Sequence, residues 1–450
     1  MATKTFWFGT ALLPSGWEKG VRLTVSDGRI TAIGLAPRQA VDEAHAIAIP
    51  GLSNVHSHAF QRGMAGLAER AGPDGDDFWS WREVMYRFLD RMDPDAVEVI
   101  TALAFSEMLE GGFTRVGEFH YLHNAPDGSA YADPAEMAAR IVAAAEATGI
   151  GLTLLPVFYA HGDFGGAPPR HGQRRFLHSV DGFARTFEAS AALLSGDANI
   201  GIAPHSLRAV TPAELTAILP LAGAGPVHIH AAEQVKEVAA SVAYSGARPV
   251  EWLLANTDID ARWCLIHATH LTEAEADGLA ASGAVAGLCP VTEANLGDGI
   301  FPARRFLGAG GAFGVGTDSN IRIDAAAELA GLEYSQRLRD LGRNLLADGA
   351  APSTGGRLFR AALTGGHQAL GQPQALSVGA PADFVTLDAA HPSLIARAGD
   401  DLLDGWIFAA GSPAIDGVWR RGARVVTAGR HHGRDAIRAR YAKTIAALLA

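Results

Sequence analysis

Short apolar runs of four to seven residues recur through the middle of the chain, each followed by a longer Ala- and Leu-rich stretch with apolar residues at helical spacing. Eight runs stand out: Ala46 to Pro50, Thr114 to Phe119, Leu152 to Phe158, Asn199 to Ala203, Pro226 to Ile229, Trp263 to Ile266, Ala284 to Leu288 and Ala312 to Val315. A strand buried on both faces reads as a continuous apolar run, and parallel neighbours need a helical crossover between them. Eight such units over about 330 residues predict an α/β fold, a (β/α)8 TIM-like barrel with insertions, ahead of a doubly wound sheet.

The chain ends have a different texture. Arg22 to Val25 and Arg29 to Ile33 flank Ser26-Asp27-Gly28 and read as a hairpin. Similar β-like runs return at Ala382 to Leu387, Gly417 to Trp419 and Arg424 to Val426. The two ends are expected to build one small β-sandwich, residues 1–50 with 380–450, around a barrel of residues 51–379. Asp435 to Ala450 reads as a surface helix.

Composition narrows the classes. Of 450 residues, 48% are apolar and 19% charged, which suits a buried core and argues against disorder. A net charge of −11 without long like-charge runs gives no nucleic-acid footprint or polybasic membrane patch, so an anionic substrate needs locally placed cations. Cys264 and Cys289 are too few for a disulfide framework, and Met1 to Gly20 lacks a secretory pattern, so a cytoplasmic setting is expected. One of the longest stretches without charges, Leu215 to Ala232, holds two prolines and two histidines and is not expected to span a membrane.

Polar residues cluster just after the apolar runs: His56 and His58, Glu118 and His120, His161, His205, His230 and Glu233, His267 and His270, and Asp318. In a barrel the C-terminal strand ends share one mouth, so these residues converge there. His56-Ser57-His58 on an extended chain points both imidazoles to one side. With a histidine of His228-Ile229-His230 and the carboxylate of Asp318 they form a mixed N and O set suited to one divalent ion, Zn2+ first among them. Spacing leaves His228 and His230 both open as the ligand from the fifth strand.

This arrangement resembles the amidohydrolase superfamily, in which His-x-His, two further histidines and an aspartate end strands one, five, six and eight. The resemblance covers nearly the whole chain, including the return to the sandwich at Leu370-Gly371, Ser377-Val378-Gly379 and Ala382 to Val385. It implies that His56, His58, His230 and Asp318 hold the metal, that Glu233 of His230-Ala231-Ala232-Glu233 shuttles protons, and that His267 orients the attacking water. His267 is then catalytic with Glu233 and Asp318, and His270 a loop residue. Relatives with two metals bridge them with a lysine from the fourth strand; the only lysines here are Lys4, Lys19, Lys236 and Lys443, so a single ion is expected. Hydrolytic release of ammonia from an sp2 carbon suits these parts.

A carboxylate-bearing substrate calls for guanidiniums, and Arg82 and Arg208 sit in loops facing the expected mouth. Within the superfamily the segments His56 to Arg62, Glu118 to His123, Gly172 to Phe176 and Ala203 to Arg208 are similar to a branch that deiminates N-formimino-L-glutamate in histidine breakdown. That similarity implies a small acidic amidine as substrate, a homodimer, and contacts from Gln61, Arg82, Tyr121, His205 and Arg208. The stretch from His161 to Phe176 is long enough for a lid. A guanine- or adenosine-type aminohydrolase using Phe78, Trp79 and Trp81 as ring walls is the alternative; a catalytically dead binding barrel is a third reading, opposed by the full ligand set.

Overall fold

The computed structural model describes residues 3–70 and 76–450; Met1 and Ala2, the first residues of the expected N-terminal block, lie outside the described residues. The chain opens with β1 (Lys4–Leu13), β2 (Gly16–Ser26), β3 (Arg29–Leu35) and β4 (Glu43–Pro50). Next come β5 (Leu52–Ser57), β6 (Phe113–His120), β7 (Gly151–Phe158), the short pieces β8 (Asn199–Ile200) and β9 (Ala203–Pro204), β10 (Val227–Ala231), β11 (Trp263–His267), β12 (Val285–Leu288) and β13 (Ala312–Val315). β14 (Phe384–Leu387), β15 (Ile415–Arg420), β16 (Ala423–Thr427) and β17 (Arg430–His431) close it, followed by a largely exposed helix, Arg434–Leu449.

Strands β5 to β13 form a parallel sheet in the order β10-β11-β12-β13-β5-β6-β7-β8. β9 pairs with β7, and the bridges Ile202 to Val227 and Ser206 to His230 join the fourth strand to the fifth, so the sheet closes into a barrel. The second sheet, β17-β16-β15-β14-β4-β1-β2-β3, joins the two chain ends. It curls until Ile30 of β3 donates to the Ala380 carbonyl at 2.9 Å beside β14. Phe6, Phe8, Leu23, Phe384 and Trp419 fill its interior, with Phe384 stacked on Trp419 at 4.8 Å.

Two strand expectations need correction. Ala46 to Pro50 is not a barrel strand: it belongs to β4, parallel to β1 and antiparallel to β14. Its Ile47 and Ile49 pack into the barrel-side core and Ala48 into the sandwich core, so both faces are buried and its apolar run mimics that of a barrel strand. The true first strand is β5, and His56 lies within it. The fourth strand is broken at Gly201, where a side chain would meet the Pro226 carbonyl oxygen at 2.3 Å.

The seam between the eighth strand and the first positions the site. β13 meets β5 in the ladder only at Val315 and Asn54. Beyond that pair side chains and isolated backbone bonds share the join: Asn54 donates to Thr317 Oγ1 (2.7 Å), Thr317 Oγ1 to Asn320 (2.6 Å), and Asn320 to Ser57 Oγ (3.1 Å). The amides of Thr317 and Asp318 both donate to the His56 carbonyl at 3.0 Å, and the His58 amide to the Asp318 carbonyl at 2.9 Å. Gly316 permits this approach, since a Cβ there would lie 2.7 Å from the His56 oxygen and 2.8 Å from its nitrogen. Gly316→Ala should therefore lower the urea midpoint by an equivalent of about 1–3 kcal/mol and weaken metal retention; an unchanged midpoint would show that the seam has slack.

Candidate active site

The expected metal ligands and the catalytic His267 are delivered by the ends of four strands. His56 comes from β5, His58 from just beyond it, His230 from β10, His267 from the last position of β11, and Asp318 from three residues past β13. His267, Ala268, Asp318, Asn320 and Ala232 all have φ between 41° and 66°. Non-glycine residues at such φ values cost about 1–3 kcal/mol each and persist where the surroundings enforce them. Here the strained turns swing the side chains inward at the barrel mouth.

The donor atoms meet. His56 Nε2 and His58 Nε2 each lie 3.2 Å from Asp318 Oδ1, and His230 Nε2 lies 3.1 Å from His56 Nε2. His56, His230, His267 and Asp318 each offer an atom within 4.8 Å of the others. His58 Nδ1 donates to the Phe119 carbonyl (2.9 Å) and His230 Nδ1 to the His205 carbonyl (3.0 Å), leaving both Nε2 atoms as acceptors. One proton on His56 Nε2 can serve either Asp318 or His230, and the contact of His58 with Asp318 still sets acceptor against acceptor. A cation between them satisfies all four, and the N and O donor set fits a divalent metal. Burial, with His58 adjacent, pushes His56 down to about 3, and burial likewise lowers His58 and His230. Burial opposes ionisation of Asp318, yet the flanking imidazoles hold it below the usual carboxylate range.

Beside this cluster, His267 Nδ1 faces Glu293 at 3.2 Å and its Nε2 faces Glu233 at 3.8 Å. Burial disfavours charge on His267, but Glu233, Glu293 and Asp318 outweigh it and raise its pKa. Burial also raises Glu233, to about 7. Glu233 precedes the helix Val235–Ser245 rather than belonging to it, and lies 3.9 Å from Arg208. The pocket above is walled by Gln61, Arg82, Tyr121, Tyr159, His205 and Arg208, among others. Gln61 Nε2 donates to Tyr121 Oη (2.8 Å), which leaves the buried Gln61 Oε1 without a partner; the Nε atoms of Arg82 and Arg208 are likewise buried and unpaired.

Several residues expected at the mouth are not gathered there. His228 Nε2 donates instead to the Ala369 carbonyl (2.8 Å): it shares the face of β10 that carries His230 but sits two residues earlier, deeper in the barrel and away from the C-terminal mouth. His161 pairs with Glu214 at 2.9 Å, His270 donates to the Asp298 carbonyl at 2.7 Å, and Glu118 accepts the Ala59 amide at 2.7 Å. His120 is buried with neither ring nitrogen partnered. The stretch proposed as a lid is pinned: Gln173 donates to Tyr159 Oη at 2.7 Å, Arg175 to the Asn124 carbonyl at 2.9 Å, and both are buried. Sequence reasoning missed Glu293, Tyr159 and Phe176. For Glu293 a signal existed, since the seventh strand was the one to which no polar partner had been assigned.

The sequence profile of the Amidohydrolase family matches residues 47–425. The chain belongs to the amidohydrolase family. This amidohydrolase also matches, over residues 5–46, the profile described as the N-terminal domain of the formimidoylglutamate deiminase HutF. A formimidoylglutamate deiminase from Pseudomonas aeruginosa is 50% identical over 435 residues, 94% of this chain and 95% of that protein. A 5-methylthioadenosine/S-adenosylhomocysteine deaminase from Natronomonas pharaonis is 29% identical over 377 residues, 81% of this chain and 79% of that protein. Among solved structures, an amidohydrolase from Brucella melitensis superposes with a TM-score of 0.96 at 52% identity, covering 99% of this chain and 100% of that one.

Glu293 bonds both the His267 ring and, at 2.8 Å, the Cys289 amide, so it fixes the imidazole plane against the end of β12. Glu293→Ala should reduce kcat by about 10–100-fold, with Glu293→Gln retaining more activity than the alanine variant. Equal, wild-type kinetics in both would remove Glu293 from the account.

Proposed function

We propose that this amidohydrolase converts N-formimino-L-glutamate and water to N-formyl-L-glutamate and ammonia, a step of histidine degradation. The observation that carries the reading is the pairing, in one buried pocket, of a divalent-metal donor set with two guanidiniums whose Nε atoms are unpaired. The 50% identity to a formimidoylglutamate deiminase over nearly the whole chain supports it. In this reading His56, His58, His230 and Asp318 hold one ion, with Zn2+ suited to the donors. When bound, the ion supplies Lewis-acid chemistry, bringing the pKa of a water towards roughly 7.

The chain's own residues then manage protons and position. The water oxygen ends as the formyl carbonyl and so loses both its protons, while the formimino nitrogen gains two to leave as ammonia. Glu233, whose buried carboxyl is raised to about 7, both accepts and donates near neutral pH, and Asp318 is the carboxylate beside the water. His267, steadied by Glu293, orients the attacking oxygen. Arg82, Arg208 and Tyr121 bind the carboxylates, and the free Gln61 Oε1 accepts from the amidine N–H, with His205 beside it. Of the three ring walls an aminopurine would use, the Trp79 face is already covered by the Arg82 guanidinium at 4.4 Å, while Phe78 and Trp81 line the pocket.

Residues 51–379 as the catalytic body, with 1–50 and 380–450 as a composite sandwich, fit the separate sheets. No helix among the described residues is long and apolar enough to cross a membrane. A cytoplasmic homodimer completes the proposal: the two cysteines are unpaired, as a reducing compartment favours, and the subunit count follows the family resemblance.

Glu233→Gln should retain the metal while kcat for ammonia release drops about 10²–10⁴-fold; near-native turnover would dismiss Glu233 as the proton carrier. Arg208→Ala should lower kcat/KM by about 10–100-fold, mainly through KM and at unchanged metal content, and unaltered kinetics would take Arg208 out of the site.

A further inference from the structure

Three cations from three separate segments gather on one indole. The Arg82 guanidinium carbon lies 4.4 Å from the Trp79 ring centroid, that of Arg208 5.8 Å, and Lys236 Nζ 5.9 Å. Arg82 shares with Trp79 the helix α1 (Phe78–Leu89), Arg208 follows β9, and Lys236 lies in the helix after β10. Like charges this close repel, and each side chain carries substantial rotamer entropy. The negative face of the indole offsets the repulsion. The ring is itself held: the Asp77 carboxylate caps α1 by accepting the Trp79 amide at 2.9 Å, and Lys236 pairs with that same carboxylate at 2.9 Å. The buried Nε atoms of Arg82 and Arg208 meanwhile keep their hydrogens free for a ligand.

We propose that Trp79 is a specificity-determining positioning residue: its indole holds Arg82 and Arg208 ready, forks open, for a substrate bearing two carboxylates. This rests on the reading of the pocket as a receptor for an acidic amidine. The role differs from that of a ring wall for a base, because the face of Trp79 is occupied by guanidinium and acts on the ligand through it. The exposed Lys236 Nζ, at the outer edge of the same ring, adds positive potential at the mouth of a protein with a net charge of −11.

The test compares native protein with Trp79→Leu and Trp79→Phe, all metal-loaded. Calorimetry with N-formyl-L-glutamate gives Kd, and ammonia release from N-formimino-L-glutamate gives KM and kcat. Trp79→Leu should raise Kd and KM together by about 10-fold, with kcat within about 3-fold, and Trp79→Phe should recover part of the loss because a π-face remains. Unchanged Kd in Trp79→Leu, equal loss in both variants, or a fall in kcat without a rise in KM overturns the proposal. If Trp79→Leu does not fold, Trp79→Phe decides, with a rise in Kd of about 2–3-fold expected and an unchanged Kd contradicting it. A native protein that binds the dicarboxylate without releasing ammonia would fail the functional reading alone, and the Kd comparison would still judge Trp79. A native protein that binds no dicarboxylate overturns both.

Discussion

Acceptor atoms that face one another at hydrogen-bond distance without enough hydrogens to share are costly to bury, and the mouth of this barrel enforces that arrangement. The Nδ1 hydrogens of His58 and His230 are committed to the Phe119 and His205 carbonyls, so their Nε2 lone pairs turn inward towards Asp318 and His56. No distribution of the remaining proton relieves every contact. A divalent cation does, and the surrounding structure can be understood as what holds the donors in place for it. The Asn54, Thr317, Asn320 and Ser57 network stitches the seam where the ladder stops, and five residues with left-handed backbone cluster at three of the strand ends that supply the donors.

Around that centre, charge is arranged by role. Carboxylates crowd the His267 side, where Glu233 and Glu293 flank the ring. Guanidiniums occupy the outer wall, set over the Trp79 ring and without hydrogen-bond partners at Nε. Glu233 touches both regions, 3.9 Å from Arg208 and 3.8 Å from His267; in the proposed reaction this sets the proton-carrying carboxylate between the substrate's anchor and its reacting end.

The barrel and its donors were largely legible in the sequence because both rest on short-range rules: buried parallel strands are apolar throughout, and their C-terminal ends share a mouth. The same rule misplaced Ala46 to Pro50, since β4 is buried on both faces between sandwich and barrel and nothing local distinguishes it from a barrel strand. His228 and His230 share one face of β10, so spacing alone could not separate them; depth along the strand decides, with His230 nearer the C-terminal mouth. Glu293 stayed hidden because its function depends on a ring twenty-six residues away, and Gln173 and Arg175 read as loop residues although tertiary hydrogen bonds bury them. What pattern missed were contacts made by side chains across elements, which no periodicity records.

The central claim is that one ion is held at the point where His56, His58, His230 and Asp318 meet. Anomalous X-ray scattering at the zinc edge, from crystals of protein loaded with zinc, tests it directly. The account predicts a single peak per chain within coordination distance of all four side chains. Two peaks, or one peak elsewhere in the chain, would contradict it.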